Sequence, residues 1–395
     1  MLSRRKLLAG MVAGLAGMVV AACVAAIRSA QPSATPSTPA APSPTVTVAP
    51  TDHGPALREK IGGMLMVGFR GRTAAEAEAT LRQIESGALG GVVLFDRDQL
   101  TGGPRNVESP EQLSALVRSL REAATGAPLT VAIDQEGGRV ARLDETYGFP
   151  PSRSAAELGR LNDPAVTEAE ARAMAEVLVA AGITLNLAPV GDLAVNPTNP
   201  VIAAVGRSYS ADPEVVIEQA AAFTEGHHAV GVACTLKHFP GHGSSSGDTH
   251  LGVVDVTDTW TETELEPFAA LIGRGLADAV LTAHVFNARL DPDHPATLSR
   301  ATVTGILRER IGFGGAVLSD DLQMGAIRDA YGYDEAVALA IEAGIDVLVI
   351  ANQIVYEPEV ALQTVAIVEG LVRSGRITEA RIDESWTRIS RLKGA

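Results

Sequence analysis

The stretch T-L-K-H-F-P-G-H-G-S-S-S-G-D-T-H, residues 235–250, organises the rest of this sequence. It follows an apolar run that predicts a buried strand, and it places Lys237 and His238 where that strand ends. Glycines in the next segment permit turns that other residues resist, and this loop closes on Asp248 and His250. Two residues apart in an extended segment, this pair faces the same way and can touch. The carboxylate would then fix the tautomer of the imidazole and raise its basicity, so the stretch predicts a reactive site.

Eight apolar runs with the character of strands alternate with helical patterns between residues 55 and 395. Strands that alternate with helices pair in parallel, and eight such units predict a closed (β/α)8 TIM barrel, an α/β fold, as a single domain. A doubly wound open sheet is the alternative, but no G-x-G-x-x-G follows the first run. The predicted strands are Ile61–Phe69, Gly91–Phe95, Leu129–Asp134, Ile183–Val190, Val230–His238, Ala279–His284, Gly315–Asp320 and Ile345–Ala351. The predicted helices include Ala74–Glu85, Pro110–Ala124, Pro164–Ala181, Pro213–Gly226, Glu262–Gly273, Arg300–Arg310, Glu335–Ala343, Glu357–Ser374 and Glu379–Lys393.

Polar side chains fall where these predicted strands end, which is where barrel enzymes carry their chemistry. They are Asp134, Asp192, Lys237, His238, His284 and Asp320. A chain that used such residues only for structure would scatter them along the strands. Their positions therefore predict one site at the C-terminal end of the barrel.

Two further strings carry candidate chemistry. In V-A-I-D-Q-E-G-G-R-V-A-R, residues 131–142, a carboxylate precedes two glycines and two arginines, a set that suits the binding of neutral hydroxyl groups. In A-V-L-S-D-D-L-Q-M, residues 316–324, Asp320 and Asp321 are both candidate nucleophiles. Neighbours in a strand point to opposite faces, and spacing alone does not decide which aspartate faces the site.

Together with residues 235–250, these strings resemble glycoside hydrolase family 3 in its β-N-acetylglucosaminidase branch, and they follow the family's order. The resemblance implies that the first acid of the S-D-D string, here Asp320, attacks the sugar. It also implies that the D-x-H pair, here Asp248 and His250, is the acid/base dyad on a mobile loop. The residues expected to hold the terminal sugar are Asp134, Arg142, Arg207, Lys237 and His238.

Four neighbouring residues have other expected roles. Arg139 is predicted to be structural, and Asp321 is predicted to bond the backbone outside the position of the anomeric carbon. For Asp192 two roles stay open, orienting the site or holding a structural network. His284 is either close to the floor of the pocket or a buried structural histidine.

The activity that the resemblance implies is that of a retaining exo-β-N-acetylglucosaminidase acting on terminal β-linked GlcNAc in oligosaccharides or cell-wall fragments. No metal or other cofactor is expected, because no H-E-x-x-H string or clustered ligand spacing occurs. A β-glucosidase or a glycoside phosphorylase of the same family is an alternative, since a histidine repels phosphate less than a carboxylate does. A non-catalytic sugar-binding lipoprotein is the alternative from another class.

The N-terminal residues predict export and a membrane anchor. Residues 1–22 combine a basic start with an apolar run, which is typical of a signal peptide, and Ser3-Arg4-Arg5 resembles a twin-arginine signal. Cys23 ends a V-A-A-C string that looks like a bacterial lipobox, which implies a lipidated Cys23 on the outer face of the bacterial cell membrane. An uncleaved membrane anchor is the alternative. Residues 23–54, rich in Pro, Ser, Thr and Ala, predict a disordered tether.

Charge and cysteine content exclude other classes of protein. The net charge of −15 argues against binding to nucleic acid or to anionic lipid through a basic patch. The two cysteines, Cys23 and Cys234, cannot form a disulfide framework, and Cys234 lies in an apolar run. We expect a monomer whose partners are a carbohydrate and, through the lipid, a membrane.

Overall fold

The structure is a computed structural model that describes residues 55–394. The predicted signal peptide 1–22, Cys23 and the predicted tether 23–54 lie outside the described residues, as does Ala395. Across residues 55–394, no helix combines the length and the apolar character that crossing a membrane requires.

Twelve strands lie within residues 55–394. In chain order they are β1 (Leu65–Gly68), β2 (Gly91–Leu94), β3 (Thr130–Ile133), β4 (Gln135–Gly137), β5 (Val140–Ala141), β6 (Leu185–Asn186), β7 (Ala233–Phe239), β8 (Val254–Asp255), β9 (Ala279–Thr282), β10 (Val285–Phe286), β11 (Ala316–Leu318) and β12 (Leu348–Ile350). Eight of them form one parallel sheet in the order β11-β9-β7-β6-β3-β2-β1-β12. In two small sheets, β4 pairs antiparallel with β5, and β8 pairs parallel with β10.

The parallel sheet closes on itself. Leu318, the last residue of β11, pairs in parallel with Val347, which lies just before β12. The backbone N–H of Ser319 donates to the carbonyl of Val347 at 2.9 Å, and the N–H of Val347 donates to the carbonyl of Val317 at 3.0 Å. Closure brings the C-terminal ends of all eight strands to one face. The prediction of a (β/α)8 TIM barrel is confirmed.

Helices surround this barrel, and several of them have capped first turns. Helices α3, α5 and α6 each begin with a proline, and the side chains of Ser109, Asp163 and Asp212 accept from N–H groups of the first turn. The α-helices are α1 (Leu57–Gly63), α2 (Glu78–Glu85), α3 (Pro110–Glu122), α4 (Ala155–Leu161), α5 (Pro164–Ala181), α6 (Pro213–His228), α7 (Glu266–Gly273), α8 (Gly325–Tyr331), α9 (Tyr333–Ala343), α10 (Val360–Arg373) and α11 (Glu379–Lys393). Shorter 3₁₀-helices are Glu145–Tyr147, Ala203–Val205, Glu262–Leu265 and Ala296–Leu298, and Ala301–Arg310 is a π-helix.

Some predicted boundaries were wrong. The predicted strand Ile61–Phe69 contains the end of α1 as well as β1. One continuous apolar run is buried in both elements, so it shows neither a helical nor a strand periodicity that would mark the boundary. The predicted strand Ile183–Val190 shortens to β6, and the predicted helix Ala74–Glu85 begins only at Glu78. The predicted helix Arg300–Arg310 has the wider hydrogen-bond pattern of a π-helix.

Besides α1, helices α4 and α8 were missed, and α4 had a signal in the sequence. In α4 the side chain of Ser154 accepts from the N–H of Glu157, and the Glu157 carboxylate accepts from the N–H of Ser154. The string Ser-x-x-Glu is the sequence pattern of a capping box, so the start of this helix was predictable. Helix α8 follows directly on the 316–324 string, and its first turn has no side-chain cap to mark it.

The N-terminal ends of β11 and β12 are joined by a buried ion-pair network. Asp346 is completely buried, and its Oδ2 accepts from the backbone N–H of Val317 at 3.0 Å. Arg308 donates to Oδ2 at 2.6 Å, and Arg381 and Arg388 donate to Oδ1 at 3.3 and 3.1 Å. Asp346 thereby ties the closing seam of the barrel to the π-helix and to α11.

Candidate active site

A cavity of about 240 Å³ opens at the C-terminal ends of the barrel strands. Seven of the eight predicted catalytic and sugar-binding residues line it: Asp134, Arg142, Arg207, Lys237, His238, His250 and Asp320. The eighth, Asp248, contacts His250. A larger cavity of about 390 Å³, beside Trp386 and Lys393 at the opposite end of the barrel, contains none of them. The structure therefore brings the predicted residues into one place.

Lys237 is at the centre of a charged cluster on one wall of this cavity. Only 2% of its side chain is exposed, and its Nζ lies 2.6 Å from Asp134 Oδ1 and 2.7 Å from Glu136 Oε1. Burial would lower the pKa of Lys237, but the two carboxylates outweigh it and raise that pKa. Arg142 completes the cluster more loosely, 3.5 Å from Asp96 and 3.9 Å from Asp134. Lys237 and Arg142 are thus cations whose donors face the cavity.

Glu136 is a functional residue that the sequence reasoning missed. Its side chain is 4% exposed, and both of its oxygens accept from Arg207 at 2.7 Å while Oε1 also contacts Lys237. Burial would raise the pKa of Glu136, but Arg207 and Lys237 hold that pKa well below its usual range. Glu136 therefore orients two predicted sugar ligands at once. It stands in the quoted string 131–142, where a carboxylate between two predicted ligands was the available signal.

A bulge in β7 lets two adjacent side chains face the same cavity. Successive residues of a regular strand point to opposite faces, yet Lys237 and His238 both line the cavity. Against β9, Lys237 pairs with Leu281 and Phe239 with Thr282, so two steps along β7 match one along β9. Such a bulge re-aims side chains next to active sites.

The contacts of Asp192 fit both roles predicted for it, orienting the site and holding a structural network. Asp192 is completely buried, and its Oδ2 lies 2.6 Å from Nδ1 of His238. Its Oδ1 accepts from the backbone N–H of His242 at 2.7 Å. Nε2 of His238 lies 3.3 Å from Nη2 of Arg207, so the imidazole links Asp192 to the charged cluster.

Asp320 and Asp321 lie beyond the end of β11, where strand alternation no longer applies, and both line the cavity. Burial would raise the pKa of Asp320, but His284, His238 and His250 outweigh it, and this pKa lies below its usual value. Asp321 differs, because its Oδ1 accepts from the backbone N–H groups of Ala351 at 2.9 Å and Gln323 at 3.1 Å. Burial, with the charge of Asp320, raises the pKa of Asp321 to about 6. The predicted backbone role of Asp321 is confirmed.

The Asp248–His250 contact exists, but its predicted geometry was wrong. Asp248 Oδ1 lies 2.7 Å from His250 Nδ1 and accepts from the backbone N–H of His250 at 2.9 Å. The segment is a tight turn rather than an extended strand, because a short aspartate side chain bonds its own backbone two residues on. The loop then rests on α8, where Gly325 N–H donates to the carbonyl of His250 at 3.2 Å and Ala326 N–H to that of Thr249.

Arg139 lies outside this arrangement, and His284 lies behind the cavity lining. His284 is completely buried, with Nδ1 2.9 Å from Thr297 Oγ1 and Nε2 2.9 Å from the carbonyl of Asp321, and it stands close enough to Asp320 to lower the pKa of that carboxyl. Arg139 is exposed and does not line the cavity. Between residues 55 and 394, no group of three or more His, Cys, Asp or Glu side chains is placed to hold a metal ion.

Comparison with known proteins identifies the family. Residues 56–392 match the family described as Glycosyl hydrolase family 3 N terminal domain. A beta-hexosaminidase of Tolumonas auensis is 40% identical over 294 residues, which cover 73% of this chain and 83% of that protein. The crystal structure of a beta-N-acetylhexosaminidase from Beutenbergia cavernae DSM 12333 is 33% identical with a TM-score of 0.78, over 87% of this chain and 99% of that one.

A longer relative has the same barrel. The glycoside hydrolase family 3 beta-N-acetylglucosaminidase from Paenibacillus sp. str. FPU-7 is 34% identical with a TM-score of 0.78, over 87% of this chain. The present chain spans 64% of that protein. Matched along residues 56–392 and built as the barrel with the cavity described above, the chain belongs to glycosyl hydrolase family 3.

Proposed function

We propose that this protein is a retaining exo-β-N-acetylglucosaminidase that removes terminal β-linked GlcNAc by a double displacement. The observation that carries the proposal is one cavity lined by Asp320, by His250 and by the charged cluster around Lys237. The relatives named beta-hexosaminidase and beta-N-acetylglucosaminidase support the choice of sugar.

Asp320 is the nucleophile of this proposal. It attacks the anomeric carbon, the bond from that carbon to the leaving oxygen breaks, and a glycosyl ester forms on Asp320. The lowered pKa of Asp320 keeps its carboxylate ionised near neutral pH, as a nucleophile requires. The carboxyl of Asp321 is less suited to attack, because burial raises its pKa to about 6 and its Oδ1 accepts two backbone N–H groups, whereas Oδ1 of Asp320 accepts one.

His250 is the proton carrier. Its Nδ1 is held by Asp248, so Nε2 is the nitrogen that gives a proton to the leaving oxygen. In the second step the same nitrogen takes a proton from water, which attacks the anomeric carbon and releases Asp320. Asp248 stabilises the imidazolium form that exists before the first transfer and again after the second.

The charged cluster and the size of the cavity fit a single terminal sugar. Asp134 accepts from sugar hydroxyls, while Arg142, Arg207 and Lys237 donate to them and His238 completes the binding wall. A cavity of about 240 Å³ is smaller than the roughly 300–1,000 Å³ of ordinary ligand pockets. This size supports cleavage from the ends of oligosaccharides, hence an exo-acting enzyme.

We also propose that the protein is a monomeric lipoprotein, anchored through Cys23 after removal of residues 1–22. The V-A-A-C string behind an apolar run and the Pro/Ser/Thr-rich residues 23–54 support this location. A barrel held outside the cell membrane would meet cell-wall fragments, so its natural role would be peptidoglycan turnover.

Two substitutions test the catalytic roles against each other. Asp320→Asn should abolish turnover of every substrate, since the nucleophile is needed for any leaving group. His250→Ala should slow hydrolysis of a GlcNAc oligosaccharide about 100-fold or more, the usual worth of general acid catalysis. An aryl substrate with a good leaving group needs no proton in the first step, so the glycosyl ester on Asp320 should accumulate in His250→Ala.

Azide distinguishes the two roles, because it attacks without a base. It should restore turnover of the aryl substrate in His250→Ala, giving the β-azide, and it should not do so in Asp320→Asn. Rescue of Asp320→Asn with an inverted product would show that the two roles are assigned the wrong way round. Assays with and without inorganic phosphate decide between the hydrolase and a phosphorylase, since a glycosyl phosphate would form only in the second case.

A further inference from the structure

The loop that carries Asp248 and His250 is held at its base by a carboxyl group that no motif had marked. Glu264 lies in the 3₁₀-helix before α7, and 1% of the residue is exposed. Its Oε2 accepts from the backbone N–H of Gly243 at 3.0 Å and from that of Ser244 at 3.3 Å. A buried carboxyl thereby fixes the first turn of the loop.

The backbone of this turn is shaped around the carboxyl. Gly241 has a φ of 117°, and a Cβ at this residue would lie 2.6 Å from the Cβ of Glu264. A Cβ at Gly243 would lie 1.9 Å from the carbonyl oxygen of Leu193. A larger residue at Gly241 would push the turn away from Glu264, and one at Gly243 would push it away from Leu193, so both glycines keep the turn in its place.

The first turn is connected to the catalytic pair through His242. Its backbone N–H donates to Asp192, its Nδ1 lies 2.7 Å from Ser245 Oγ, and its Nε2 lies 3.4 Å from Thr249 Oγ1. Thr249 stands between Asp248 and His250 in the sequence. A shift of the turn that Glu264 holds would therefore reach the catalytic pair through a short chain of hydrogen bonds.

The second oxygen of Glu264 is compatible with a protonated carboxyl. Oε1 of Glu264 and Oγ of Ser244 are both buried, and neither has a hydrogen-bond partner within residues 55–394. Burial raises the pKa of Glu264 to about 7. A protonated carboxyl could donate from Oε1 toward Ser244 while Oε2 still accepts both backbone N–H groups. Because a neutral carboxyl has the shape of an amide, glutamine should serve almost as well.

We propose that Glu264 is a positioning residue for the reaction, which fixes the base of the loop so that His250 reaches the leaving oxygen. The proposal rests on the proposed role of His250 as proton donor. It gives Glu264 no contact with the sugar, so its loss should act on proton transfer rather than on binding.

The test compares two substrates in three variants of the full chain. In Glu264→Ala, kcat for a GlcNAc oligosaccharide should fall about tenfold or more. The first step with an activated aryl substrate, measured as the burst of aryl release, should fall less than about threefold. Glu264→Gln should restore the oligosaccharide rate to within about threefold of the original enzyme. Glu262→Ala is the matched control, because this exposed residue of the same 3₁₀-helix pairs with Arg310 at the surface.

Equal losses on both substrates in Glu264→Ala, or a Glu264→Gln variant as slow as Glu264→Ala, would overturn the proposal. If Glu264→Ala does not fold, Glu264→Asp replaces it, since its shorter side chain withdraws the carboxyl from the turn and should produce the same split between the substrates. His250→Ala on the same pair of substrates separates the two ideas. If His250→Ala slows the oligosaccharide more than the aryl substrate but the Glu264 variants do not, only the positioning role is refuted. If His250→Ala slows both substrates equally, the role of His250 as proton donor is refuted.

Discussion

Replacing Glu136 by glutamine should lower both the stability of the fold and the affinity for the sugar. Glu136 is 4% exposed and receives two bonds of 2.7 Å from Arg207 and one contact of 2.7 Å from Lys237. Glu136→Gln keeps the shape of the side chain but removes a carboxylate charge that forms salt bridges with both cations. Lys237 keeps Asp134, and Arg207 keeps the carbonyl of Val201 at 2.9 Å.

The magnitude follows from this partial loss of partners. Removing one member of a buried ion pair costs about 3–5 kcal/mol, and because each cation keeps another partner we expect the lower end, about 3 kcal/mol. The matched control is Glu218→Gln, which breaks a 2.6 Å pair with Arg274 in which both side chains are over 40% exposed. An exposed pair of this kind contributes about 0–1 kcal/mol.

The loss of stability in Glu136→Gln should depend on pH in a definite direction. The folded-state pKa of Glu136 is depressed by Arg207 and Lys237 even though burial would raise it. Its contribution to the free energy of unfolding is therefore present above the ordinary carboxyl value of about 4.5 and is lost as the pH falls below it. The original protein should lose stability as the pH falls below that value, while Glu136→Gln should lose less, so the difference between the two proteins should shrink.

Urea denaturation from pH 3 to pH 8 measures this difference, and KM for an aryl GlcNAc substrate measures the effect on binding. With Lys237 and Arg207 less well oriented, KM should rise about tenfold, as expected for about one charged hydrogen bond. The reasoning is refuted if Glu136→Gln is no less stable than Glu218→Gln at pH 7. It is also refuted if the difference in stability between Glu136→Gln and the original protein stays constant as the pH falls.

Three other experiments address the remaining proposals. Cys23→Ser should leave the protein unprocessed or release it from the membrane fraction, and unchanged size and fractionation would contradict a lipid anchor. Activity should survive EDTA, and a loss that a divalent ion reverses would show a metal requirement. Asp192→Asn should raise KM about tenfold, because His238 loses the carboxylate 2.6 Å from its Nδ1; an unchanged KM would deny Asp192 its orienting role.

The sequence predicts the fold well because its strands end on polar residues. Asp134, Lys237 and Asp320 each follow a buried apolar run, and a closed barrel carries such ends to one face. Boundaries were harder, since the run from Ile61 to Phe69 serves a helix and a strand that are both buried. Because both elements are buried, their residues are apolar throughout and show no hydrophobic periodicity that would separate the helix from the strand.

The site was predicted only where a residue had a motif of its own. Asp248 and His250 were paired correctly, although the turn that joins them depends on a bond from Asp248 to the backbone. Glu136 and Glu264 were missed because their roles come from partners distant in the sequence, Arg207 and Lys237 for the first and Gly243 for the second. Such pairings exist only once the barrel has closed.

The network around Asp346 has a consequence for engineering new substrate range. The arginines that bind Asp346 hold the closing strands together at the end of the barrel opposite the cavity. The stability of this closure therefore does not depend on the residues that line the cavity. Exposed positions near the cavity, such as Gln99, Leu100 and Val355, could therefore be randomised in a library while Asp346 and the buried Asp98–Arg105 pair keep the scaffold folded. Selection on such a library would explore leaving groups and aglycones without first having to recover lost stability.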